Sequence, residues 1–167
     1  MMDTKESILA QLKEKLRQES LVKGIEDLQV GDIVYYDMDR ADGIVPLSGH
    51  DTRRKYVIVA GEKSNLKEVC AVLINTDNDY SSASDWQAEQ YCIRQTDYPE
   101  ILDHDSWVDC TDPKELKVSK IKAKKAEKKG RLNARDLTNI MRHLKENDFI
   151  DAHTRKVYGI DKYPIEQ

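Results

Sequence analysis

The stretch RRKYVIVAGEKSNLKEVCAVLINT, Arg53 to Thr76, holds two runs of strand-forming residues separated by a few polar ones. Tyr56 to Ala60 is almost continuously apolar, and so is Val69 to Ile74. A run that is apolar on both sides of the pleat belongs to a strand covered on both faces. Each run is therefore expected near the middle of a sheet. The turn KSN, Lys63 to Asn65, is far too short for a crossover helix, so the two strands pair as an antiparallel hairpin.

Working outward, the same spacing recurs. GDIVYYDMD, Gly31 to Asp39, is a short strand after a Gly-Asp turn. RADGIVPLSGHDTR, Arg40 to Arg53, carries two glycines and a proline and reads as a loop. After the polar connection DNDYSSASDWQ come two more short strands, QYCIRQ (Gln90 to Gln95) and SWVDCTD (Ser106 to Asp112). Trp107 and Val108 are the expected buried pair of the second. Several short strands with hairpin-scale connections point to a small, mostly antiparallel, strongly curved sheet or barrel.

Helices bracket this sheet. Residues 4–19 place Ile8, Leu9, Leu12 and Leu16 on a narrow apolar stripe, with Thr4 as expected N-cap and Gly24 beyond the end. Such a stripe needs a partner, either the domain behind it or another chain. LNARDLTNIMRHLKEN starts a second helix, with Asn133 as N-cap and Asp136 three residues on. Leu137, Ile140, Met141 and Leu144 recur at helical spacing and should close one face of the sheet. Lys114 to Gly130, between sheet and helix, holds eight lysines. FIDAHTRKVYGI, at the end, is expected as a small strand or an extended tail. The organisation is a helical extension (1–24), a barrel domain with its helix (25–150) and a tail (151–167).

With 35% charged and 39% hydrophobic residues, a compact core should lie under a very polar surface. There is no apolar run of about 20 residues, hence no membrane span is expected, nor a signal peptide. The three cysteines form no CxxC pair, which argues against a zinc site or a disulfide framework and for a reducing cytoplasm. No metal and no cofactor are expected; DHD, Asp103 to Asp105, resembles a metal cluster only superficially. The net charge of −4 divides unevenly, −11 over residues 1–112 and +7 over 113–167. Such a division marks either a nucleic-acid face or two halves that attract each other.

The order of these pieces resembles the PemK/MazF family of type II toxin–antitoxin endoribonucleases. GDIVYYD, RKYVIVAG, VLINTDN and GRLNARDL carry the resemblance, over roughly residues 30–147. It implies an α+β fold, an SH3-like small antiparallel β-barrel of PemK/MazF/CcdB type with a C-terminal helix; the N-terminal helix is extra. It also implies metal-independent cleavage of single-stranded RNA by a homodimer, to a 2′,3′-cyclic phosphate and a 5′-hydroxyl. An antitoxin protein would block the RNA groove. Arg54 matches the family's phosphate-facing arginine, with Arg53 one register away. Lys55 stands where a proline is common. The family's strand-end threonine falls on Asn75, with Thr76 beside it. The loop acid found in some members is replaced by Gly49 and His50.

The residues suit that chemistry. An arginine fork grips two phosphate oxygens. His50, four residues before Arg54, has an imidazole suited to proton transfer. Thr76 or Asn75 could hydrogen-bond the phosphate. Arg53, Lys55, Lys122 and Lys124 are the expected RNA-backbone contacts. Each has a plainer alternative. Arg54 could pair with Asp51 or Asp77. His50 could be a solvated loop residue, and Asn75–Thr76 a cap at a strand end. The lysines could form a solvated face, Trp86 and Trp107 core anchors, and His143 a surface residue. A non-catalytic relative that binds nucleic acid or a protein is the alternative function.

Overall fold

A computed structural model describes residues 4–26, 28–63, 67–76 and 84–165. The chain is α+β. Its strands are β1 (Asp32–Asp39), β2 (Thr52–Glu62), β3 (Glu68–Asn75), β4 (Gln90–Ile93), β5 (Ser106–Asp109), β6 (Lys114–Lys117) and β7 (Glu127–Arg131). Its helices are α1 (Thr4–Glu26), α2 (Ser84–Ala88), α3 (Val118–Ala123), α4 (Ala134–Glu146) and α5 (Ala152–Val157). The sheet has seven strands in the order β4-β5-β3-β2-β1-β7, with β6 also paired to β3. Every ladder is antiparallel.

The hairpin of β2 and β3 is the centre, as its double apolar run requires. Val57, Ile58, Val59 and Ala60 are all buried, because both faces of the sheet are covered. On one face, Ile58, Val72 and Ile74 join the Leu137, Ile140, Met141 and Leu144 stripe of α4 in the larger core. On the other, Val57, Val59 and Ala71 pack with Leu116 and with Ile121 of α3. Close approach has a steric condition at Gly61, where an added Cβ would stand 2.5 Å from the Tyr158 carbonyl oxygen.

The expected barrel does not close. The far edge of β3 is shared: Glu68–Ala71 pair with β6, while Ile74 and Asn75 pair with β5. This division turns β5 and β4 away from the line of β7, and the two end strands do not meet. Helices attend those edges instead, α4 near β4 and α1 near β7.

Three other expectations change. α1 continues through Gly24 to Glu26, and Thr4 is its first turn rather than its cap. Ile8, Leu9, Leu12 and Leu16 are each more than half exposed, so the domain behind does not cover the stripe. The lysine-rich stretch is not featureless: it forms β6, α3 and β7. The end is neither strand nor extended tail. It forms α5 and a 3-10 turn, Ile160–Lys162, and buries Tyr158 and Ile160 in the larger core. The central part of the turn after Lys63 and residues 77–83 lie outside the described residues.

Candidate nucleic-acid interface

Period-two alternation decides which candidates meet. Arg54 pairs with Asp37, and Tyr56 with Tyr35, in the β1–β2 ladder. These four side chains share the face of Ile58 and Ile74, where the core runs out toward the open end of the hairpin. Lys55 and Arg53 point to the other face. Asn75 is also on that other face, and Lys55 Nζ donates to its Oδ1 at 2.9 Å. Thr76 is exposed in the bend one residue past the end of β3, and no contact joins it to Arg54 among the described residues.

Arg54 is therefore built into a small stack. Its guanidinium carbon lies 4.3 Å from the Tyr35 ring centroid. The Tyr35 and Tyr56 rings stack at 4.5 Å with 24° between their planes. Nε stands 3.4 Å from Asp37 Oδ1, an ion pair with both side chains well exposed. Such a pair contributes about 0–1 kcal/mol. Neither terminal nitrogen of Arg54 has a hydrogen bond among the described residues. Glu127, opposite Tyr35 in the β1–β7 ladder, is the second carboxylate nearby. Its bond to Lys129 holds its carboxyl below the ordinary value, and the charges of Arg54 and Arg17 add to this.

Burial lowers the Lys55 ammonium below the usual lysine value, and the adjacent Arg53 adds to the effect. Lys55 and Asn75 thus form a partly desolvated structural link between β2 and β3. Arg53 is exposed beside them. Lys124 is engaged elsewhere. It binds Asp39 Oδ2 at 3.0 Å, while Lys120 bridges Asp39 and Asp42 at 2.8 and 3.0 Å. The two lysines hold the Asp39 carboxyl well below the usual carboxylate range. Lys122 lies on the same short helix, α3. His50 is exposed in the loop before β2, and no side-chain contact joins it to Arg54 among the described residues. The family-based set is thus brought together only at Lys55 and Asn75, on the face opposite Arg54.

Tyr35, Tyr56 and Asp37 were missed by the sequence reading. The signal was present as YYD against RKY, but it emerges only when the register pairs residue 35 with 56 and 37 with 54. Trp86 and Trp107 are half-buried and belong to neither hydrophobic core, so of the expected buried pair only Val108 is buried. His143 is not simply on the surface: its Nδ1 is 2.6 Å from Glu89 Oε2, tying α4 to the entry of β4. A cleft of about 510 Å³ opens beside this pair, lined also by Tyr91, Arg142 and Glu146. The Asp51 pairing considered for Arg54 is replaced by Asp37, and Asp77 lies outside the described residues.

Among the described residues no group of three or more His, Cys, Asp and Glu side chains could hold a metal ion. Nor is any described helix long and apolar enough to cross a membrane. The chain matches no protein-family model, and no curated protein matches it.

Proposed function

We propose that this protein is a PemK/MazF-like toxin, a metal-independent endoribonuclease acting on single-stranded RNA. The observation that carries the reading is the Arg54 fork: stacked on Tyr35, half-exposed, and with no hydrogen bond at either terminal nitrogen among the described residues. In this reading the 2′-hydroxyl loses its proton to a base and its oxygen bonds to phosphorus. The P–O5′ bond then breaks, and the leaving oxygen takes up a proton. The products are a 2′,3′-cyclic phosphate and a 5′-hydroxyl. Arg54 stabilises the charge that builds on the non-bridging oxygens. The Thr76 hydroxyl donates to the same phosphate. Asp37 is the proton acceptor already beside Arg54, and the proton taken up by O5′ comes from His50 on the preceding loop or from water. In this reading Lys55 and Asn75 serve the sheet, Lys55 in place of an RNA-backbone contact and Asn75 in place of a catalytic role. By the resemblance, the partners are a second copy of the chain and an antitoxin protein, in the cytoplasm.

A non-catalytic module that binds RNA or a protein is the second reading. Asp37 and Glu127 favour its protein-binding form, since two carboxylates beside Arg54 oppose a phosphate whether or not the RNA is cut. End-group analysis of RNA incubated with the protein in EDTA separates the two. Cyclic-phosphate and 5′-hydroxyl ends that vanish with Thr76→Ala support the enzyme. Intact RNA retained in a salt-sensitive complex supports the module.

A further inference from the structure

We infer that Tyr35 is a positioning residue for Arg54. It holds the guanidinium so that its terminal edge is ready for one phosphodiester of a single-stranded nucleic acid. The inference rests on the reading that Arg54 faces phosphate. Three observations carry it. The Tyr35 ring faces the guanidinium at 4.3 Å. Tyr56 stacks on Tyr35 at 4.5 Å, so the ring is itself held in place. Asp37 occupies the Nε side at 3.4 Å. Nη1 and Nη2 remain as the donors without a hydrogen bond among the described residues.

An unrestrained arginine gives up much rotamer freedom when it grips an anion. A ring under the guanidinium removes part of that cost before the ligand arrives, and the flat electron-rich face also attracts the cation. The Tyr35 hydroxyl has no part in this. A phenylalanine should therefore serve as well as the tyrosine, and an aliphatic side chain should not.

The test uses the full chain and an uncleavable 2′-O-methyl oligonucleotide of mixed sequence. Arg54→Ala should weaken binding and reduce the salt slope by about one phosphate contact. Tyr35→Leu should weaken binding about 3- to 10-fold, the effect of ordering one side chain, with the salt slope unchanged. Tyr35→Phe should bind as wild type. Equal binding by wild type and Tyr35→Leu, with Arg54→Ala impaired, overturns the inference and leaves the reading of Arg54 intact. Unchanged binding in Arg54→Ala overturns the reading itself. If Tyr35→Leu does not fold, proton NMR of the wild type decides. The Arg54 side-chain protons should be shifted upfield by the ring current and return toward ordinary values in Tyr56→Ala, where Tyr35 is no longer held. Unshifted protons in the wild type overturn the inference.

Discussion

Lys55 Nζ donates to Asn75 Oδ1 at 2.9 Å, across the β2–β3 ladder and on the face opposite Arg54. Two neighbours in sequence thus do separate work. One fastens two central strands, and the other presents at the sheet's rim a fork whose terminal nitrogens have no hydrogen bond among the described residues.

Asn75→Ala should therefore reduce stability and spare RNA binding. It leaves a partly buried ammonium without its acceptor, a loss of about 1–3 kcal/mol. Chemical denaturation should show a lower midpoint, while oligonucleotide affinity stays at the wild-type value. A large loss of affinity with unchanged stability would return Asn75 to the phosphate site.

The carboxylate of Asp136 is buried, accepting hydrogen bonds from Tyr91 at 2.7 Å and Tyr98 at 2.6 Å. Burial, and in smaller part these bonds, raise both phenols above their ordinary value. Asp136→Ala leaves both O–H donors without their acceptor where α4 meets the sheet, while the hydroxyl oxygens still accept from Asn139 and Asn133. The expected loss is about 2–4 kcal/mol, one to two buried unsatisfied groups. Calorimetry of the variant measures it.

Asp39 supplies a pH dependence. Its carboxyl is held low by hydrogen bonds from Lys120 and Lys124. A folded value below the unfolded one means stabilisation that is complete above the unfolded value of about 3.9. It is lost as pH falls through the lower folded value. The stability difference between wild type and Asp39→Asn should be constant above about pH 5 and shrink below pH 4. A difference that grows on acidification contradicts the network.

Cys70 and Cys110 are fully buried, and burial pushes the Cys70 thiol up to about 12 and the Cys110 thiol higher still. Cys92 is only half-buried. A thiol reagent should modify Cys92 alone in the native protein and all three residues in denaturant. Rapid native modification of Cys70 would mean that the β2–β3 core opens readily.

Much of the fold was legible because its signals are local. The double apolar runs of β2 and β3 dictated a central hairpin, and Asn133 with the Leu137–Leu144 stripe dictated α4. The closed barrel was not legible. Whether β4 and β7 meet depends on how β5 and β6 divide one edge of β3, a long-range matter that no short window carries. The lysines of 114–129 hid three elements because the apolar anchors Leu116, Ile121 and Ala126 are single residues in a charged stretch. At the candidate site, residue types pointed to Arg54. The placing of Asn75 with Lys55, away from Arg54, needed the parity of β3 relative to β2. Tyr35, Tyr56 and Asp37 needed the register of β1.

The most direct measurement is incubation of a long single-stranded RNA with purified wild-type protein and with Arg54→Ala, in EDTA, on one gel. The account predicts discrete cleavage by the wild type and a rate at least about 10²-fold lower for the variant, the usual effect of removing one charge-stabilising donor. Intact RNA in both lanes, or equal cleavage in both, contradicts it.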